Sequence, residues 1–192
     1  MTARRARFFL CAGVGLLVAA AGAKADINLF GSYWDNIARA AAANDAAKVR
    51  QLAGGGNNPN NDVDDNGRTG LHIAAINGNL QITAILIKAS ARLDVRDRLG
   101  NTPLHLAADR SQFEVAKLLL DAGAPPDAEN KNGMTPLMTA ASRGNLDLVQ
   151  ALLAKGANTR KTDFTGRDAL SWATESRRSA VVQVLQRAAA KR

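Results

Sequence analysis

The sequence predicts an all-α fold, an elongated solenoid of stacked helix–turn–helix units joined by short β-turn fingers. Three observations carry that prediction. Four segments line up at a fixed interval: DDNGRTGLHIAAINGN (64–79), DRLGNTPLHLAADRSQ (97–112), NKNGMTPLMTAASRGN (130–145) and DFTGRDALSWATESRR (163–178). Their turn glycines, Gly67, Gly100, Gly133 and Gly166, recur every 33 residues without drift. Each unit then has a second apolar run at the same offset (ITAILIKASA, VAKLLLDAGA, LVQALLAKGA, VVQVLQRAAA). The composition agrees: aromatics are 4% of the 192 residues, and Ala and Leu dominate, which suits close-packed helices better than a β sandwich.

In chain order, residues 1–25 come first and stand apart from the fold. MTARRARFFLCAGVGLLVAAAGAKA opens with Arg4, Arg5 and Arg7, continues as an apolar run from Phe8 to about Ala23, and ends on AKA before Asp26. A basic head, a short apolar run and small residues at the end describe a secretory signal, with cleavage expected near Ala25. The run is short for a membrane span, which needs about 20 apolar residues. Cys11 is the only cysteine and leaves with the signal, so the mature chain is expected to have neither disulfide nor thiolate. The signal carries four basic and no acidic residues, so the formal charge of +8 falls to +4 on cleavage. Residues 160–192 hold eight basic and three acidic residues, which places the excess at the C-terminus.

Residues 26–63 are expected to form an N-terminal cap repeat followed by a loop. YWDNIARAAAANDAAKVRQL (33–52) has helix–turn–helix spacing without a turn box, and Ala41 and Ala42 stand in register with Ala74 and Ala75. AGGGNNPNND (53–62) reads as a mobile linker; its glycines lack the Lys-Ser or Lys-Thr of a phosphate cradle. Three full units follow, 64–96, 97–129 and 130–162. Within NTPLHLAA, Thr102 is a fit N-cap, and Pro103 suits the first helical position, where a missing N–H costs nothing. The Ala pairs Ala74–Ala75, Ala107–Ala108 and Ala140–Ala141 let helices approach closely. Leu86, Leu118, Leu119, Leu152, Leu153 and Leu185 supply bulk, and Gly123 and Gly156 read as left-handed helix stops. The last unit, 163–192, has Asp168 and Ala169 in place of Thr-Pro, and polar Gln186 in its outer helix, as a C-terminal cap with a basic tail should.

The G-x-T-P-L-H-x-A-A box, the L-L-x-x-G-A close and the interval together make the chain resemble the ankyrin repeat family over nearly all of its mature length. The departures are Gly70 where the box has Pro, and Ser111 where the inner helix should turn on Gly, with strain expected there. By this resemblance His72 and His105 are architectural, tying neighbouring turns by hydrogen bonds. A zinc site is excluded by the absence of Cys and of carboxylates at ligand spacing. No nucleophile–base pair, carboxylate dyad or cofactor fingerprint emerges, so neither enzyme activity nor a cofactor is expected.

The resemblance implies protein binding on the concave face, built from finger tips and inner helices. Its variable contact positions fall on Asp65, Asn66, Arg68, Ile76 and Asn77, then on Arg98, Leu99, Asn101, Asp109 and Arg110. Lys131, Asn132, Met134, Ser142 and Arg143 follow, and last Phe164 and Arg167. Arginines rimming the apolar Leu99, Met134 and Phe164 suggest a protein partner with an acidic, partly apolar surface. The basic C-terminus offers an alternative, peripheral contact with anionic lipid; nucleic acid is disfavoured by the export signal and the lack of a nucleic-acid motif. A monomer is expected, with a self-contact through Leu99 and Phe164 as the alternative. Signal, absent disulfides and Ala- and Arg-rich composition point to the bacterial periplasm, with secretion as the alternative.

Overall fold

The computed structural model of the chain describes residues 36–190. The expected signal peptide, the start of the expected cap repeat and the terminal Lys191 and Arg192 lie outside the described residues. Among the described residues ten helices follow one another as five pairs. They are α1 (Ile37–Ala42) and α2 (Ala46–Gly54), α3 (Gly70–Asn77) and α4 (Leu80–Lys88), α5 (Pro103–Asp109) and α6 (Phe113–Asp121). Then come α7 (Pro136–Arg143) and α8 (Leu146–Ala154), α9 (Ala169–Glu175) and α10 (Ser179–Ala190). The odd-numbered helices form an inner stack, each packed on the next, and the even-numbered helices form an outer stack in the same order. β pairing among the described residues is an isolated bridge between Val63 and Thr69. The fold is an all-α solenoid, and no described helix is long and apolar enough to cross a membrane.

Short helices of six to twelve residues are marginal alone, so their ends and their neighbours must hold them. Most of the described starts have cap chemistry in the sequence, the start of α6 at Gln112 being an exception. Asn36, Asp45, Asn79, Asn145 and Asp168 each accept an amide of their own first turn. Pro103 and Pro136 open α5 and α7, where the missing N–H is harmless. Gly70 opens α3 instead, for a reason of space: a Cβ there would meet Ile37 Cγ2 at 2.7 Å, closer than any contact can be.

The core is one continuous cluster running through the stack. Ala41, Ala74, Ala75, Ala107, Ala108, Ala140, Ala141 and Ala173 expose nothing, which lets the inner helices meet with little between them. Leu86, Leu119, Leu152 and Leu185 are buried on the outer helices. Leu153 is half-buried and packs against the core, and Leu118 is half-buried because the core stripe of α6 runs through Val115, Ala116, Leu119 and Leu120. On α10 only Val181 and Leu185 are buried, and Gln186 and Arg187 face water.

The segment 53–62 differs from the mobile loop that its composition suggests. Helix α2 runs on through Ala53 and Gly54, Pro59 is buried, and both flanks are tied. Asn60 Oδ1 accepts the Arg92 amide at 2.7 Å, and Asp62 Oδ2 accepts the Ile37 amide at 3.2 Å. The asparagines and aspartates that read as loop punctuation are here the anchors.

The turns between inner and outer helices all need a left-handed residue. It is Asn44, Gly78, Ser111, Gly144 and Arg177, with φ of 56°, 69°, 55°, 77° and 57°. Ser111 therefore carries the strain its sequence position suggests, and Arg177 carries it too. A non-glycine residue in this region costs about 1–2 kcal/mol. We predict that Ser111→Gly raises thermal stability by about 1 kcal/mol, or about 2–4 °C for a chain of this size. Gly144→Ser should do the reverse, because its Cβ would lie 2.6 Å from Arg178 Cδ. Melting curves followed by circular dichroism check both, and an unchanged or lower midpoint for Ser111→Gly contradicts the strain assignment.

Candidate functional site

Each finger is shaped by one side chain at its base. Asp64 Oδ1 accepts the amides of Asn66 and Arg68 at 2.8 and 2.9 Å, and Asp97 Oδ1 accepts those of Leu99 and Asn101 at 2.9 and 2.8 Å. Asn130 and Asp163 repeat the arrangement. The chain then reverses through Gly67, Gly100, Gly133 and Gly166, all at positive φ. Successive fingers are joined by their backbones: Arg98 N–H donates to Asn66 O (2.9 Å), Lys131 N–H to Leu99 O (3.0 Å) and Phe164 N–H to Asn132 O (3.1 Å). The approach is so close that a Cβ on Gly100 would lie 2.7 Å from Lys131 N, and one on Gly133 would lie 2.9 Å from Phe164 N.

Below the tips, two histidines brace the fingers from inside. Thr69 N–H donates to His72 Nδ1 at 3.1 Å, and Thr102 N–H donates to His105 Nδ1 at 3.2 Å. A ring nitrogen that accepts an amide is unprotonated, so the proton sits on Nε2. His72 Nε2 donates to Asn101 O at 3.0 Å and His105 Nε2 to Met134 O at 2.9 Å, each on the following finger. Met138 and Ser171 occupy the same box position later. Thr135 N–H points at Met138 Sδ over 3.5 Å, and Asp168 Oδ1 accepts from Ser171 N–H and Oγ–H. Burial pushes both imidazoles down, His105 to about 4, with the carbonyl bonds opposing only in part. Among the described residues no group of three or more His, Cys, Asp or Glu is placed to hold a metal.

The structure places the seventeen finger-face positions outside the core, every one at least partly exposed. Nine of them gather around one cavity of about 380 Å³ between the fingers at 97–101 and 130–134: Arg68, Ile76, Leu99, Asn101, Asp109, Arg110, Met134, Ser142 and Arg143. Asn132, Phe164 and Arg167 line a neighbouring cavity of about 310 Å³, which Met134 shares. Asp65 lies at the N-terminal end in a cavity of about 460 Å³ with Arg39 and Val63. Asn66, Arg98 and Lys131 are exposed on the finger tips, and Asn77 is exposed at the end of α3, where its amide donates to Asn44 Oδ1 at 3.3 Å.

Several of these residues are engaged inside the molecule. Arg143 Nε donates to Asp109 Oδ1 at 3.1 Å, and Arg110 Nε stands 3.6 Å from the other oxygen of that carboxylate. Arg167 pairs with Glu175 at 3.0 Å and lies 3.8 Å over the Trp172 ring. Asn101 is held between Asp97 and Asn130, and Arg96 donates to the Glu129 carbonyl. The basic face is therefore smaller than a count of arginines implies.

The sequence reading missed Leu106 and Thr139, which line the first of these cavities, Trp172, which lines its neighbour, and Ile73, which lines the N-terminal one. A signal for them exists. All four stand at the variable position of the box, directly after His72, His105, Met138 and Ser171, and they change from Ile to Leu to Thr to Trp.

A family model described as ankyrin repeats, in three copies, matches residues 37–130 and 118–191. No curated protein matches the chain.

The histidine braces make stability depend on pH with a fixed sign. His105 binds its proton near 4 when folded and near its ordinary 6.5 when unfolded. Its contribution is complete above 6.5 and is lost as pH falls toward 4, to a total of about 3 kcal/mol. His72 acts in the same direction. His105→Met, the residue that the next unit uses, should lower stability at neutral pH and shrink the acid loss. Denaturant melts at about pH 7 and about pH 4.5 check this, and equal acid losses for parent and variant contradict it.

Proposed function

The chain belongs to the ankyrin repeat family, and on that premise we propose that it is an exported protein that holds a partner protein on its finger face, without catalysis. Ankyrin repeats indicate a protein–protein interaction module. The finer reading, a partner with an acidic and partly apolar surface met in the bacterial periplasm, rests on the residues of this chain. One observation carries it: Leu99 and Phe164 are 63% and 76% exposed at the tips of fingers whose backbones are locked together. Large apolar side chains held rigidly in water beside lined cavities are what a protein interface uses as anchors. Arg98 and Lys131 flank them and supply the charge preference.

The two histidines are spent on bonds between units, which leaves the face without an imidazole base of its own. The alternative basic surface near the C-terminus is weakened by its own pairings. Lys161 pairs with Glu129, and Arg178 donates to Ser142 O at 3.4 Å.

Immobilised parent chain exposed to periplasmic extract should retain a defined protein. Leu99→Asp should lower that retention by about tenfold or more while melting normally, because residue 99 is a tip residue. Equal retention by parent and variant contradicts the finger-face reading.

A further inference from the structure

The arrangement of the finger cavities says more about the ligand than that it is a protein, and this inference rests on the finger-face reading above. We propose that the partner segment is an extended acidic peptide that seats apolar side chains, three residues apart, in the two neighbouring cavities on either side of the finger at 130–133.

Each finger is a two-stranded reversal hydrogen-bonded to the next through Lys131 N–H to Leu99 O and Phe164 N–H to Asn132 O. Hydrogen-bonded strands lie about 4.8 Å apart, so one finger advances the face by about 10 Å. Inner helices packed directly on one another advance by the same amount, about 8–10 Å. An extended chain in the polyproline II form rises about 3.1 Å per residue and returns to the same side every three residues, so three residues cover one step with both anchors facing the fingers. The first seat is floored by Leu106 and Met134 and lipped by Leu99. The second is formed by Phe164 and Trp172, with Met134 shared between them.

The charges around the seats favour an acidic segment. Asp109 is taken by Arg143 and Arg110. Arg68 Nε, which is buried at the edge of the first seat, has no hydrogen-bond partner among the described residues; the Asp97 carboxylate stands 3.9 Å away. The rest of the Arg68 side chain is partly exposed on the seat, where an incoming carboxylate would give the guanidinium a charge-assisted partner. Arg98 and Lys131 are exposed on the tips beside the same seat. A basic segment would face these cations unpaired. A helix would need its anchors about seven residues apart to span the same step, and would turn the residues between them away from Lys131.

The test is fluorescence polarisation of labelled peptides with the whole chain. GELDEFDG places Leu and Phe three apart; GELDFEDG has the same composition with the two anchors two apart; GKLKKFKG keeps the spacing and reverses the charge. The first should bind about tenfold tighter than either of the others, and more weakly as salt rises. Arg98→Glu with Lys131→Glu should remove the preference for the acidic peptide, and Phe164→Ser should remove the preference for spacing. Equal binding of the three peptides, binding of none, or tighter binding of a helical peptide with anchors seven apart overturns the proposal. Retention of a partner that depends on Leu99, together with indifference to these peptides, overturns this inference alone and leaves the finger-face reading standing.

Discussion

The structure depends on a bond that no unit can make within itself. Two fingers end with a carbonyl that accepts one bond inside the finger, from Asp97 N–H to Asn101 O and from Asn130 N–H to Met134 O, and a second bond from the preceding unit. His72 Nε2 reaches Asn101 O and His105 Nε2 reaches Met134 O, in both cases across 29 residues of sequence. The finger tips add a second row of such bonds, backbone to backbone. A helix pair of this size buries too little to stand alone, so folding proceeds only where a neighbour closes these rows and covers the Ala-rich inner face. The fixed interval in the sequence is the record of that requirement.

The same constraint sorts residues by freedom. Positions that touch the neighbouring finger are confined to glycine by distance, as at Gly100 and Gly133. Positions that shape the turn are confined to Asp or Asn, whose short carboxyl or amide oxygen reaches two amides at once. Positions under the inner helices are confined to Ala. What stays free is the finger tip and the box residue facing the cavities, and there the four units differ: Ile73, Leu106, Thr139 and Trp172 inside, Arg98, Lys131 and Phe164 outside. A rigid frame with variable side chains on one face is suited to recognition.

The fold was legible because its signals are local or periodic. The interval gave the stack, Thr102 and Pro103 gave the start of α5, and Ser111 announced a turn that glycine would make more easily. The positions of the candidate face were legible for the same reason, since each is counted from a turn glycine. Their engagement was not. Whether Arg143 is free or bound to Asp109, 34 residues earlier, depends on how two side chains on adjacent units reach each other, and no spacing rule contains that. The stacking of Arg167 on Trp172 is of the same kind. The segment at 53–62 is a loop from Gly55 onward, as its Asn, Gly and Pro describe, while its anchoring to Arg92 and Ile37 is a matter of tertiary contact. Leu118 is less buried than its neighbours because the core stripe of α6 runs through Val115, Ala116, Leu119 and Leu120, and position 118 falls beside it.

Site-specific photo-crosslinking tests the central claim most directly. A benzophenone amino acid is placed in turn at Leu99 and Phe164 on the finger tips, and at Lys117 on the exposed side of α6. Cells expressing each chain are irradiated and the adducts compared. The account predicts a discrete protein adduct from positions 99 and 164 and none from 117. An adduct that forms as readily from 117, or none from either finger position, would contradict the assignment of the finger face as the binding surface.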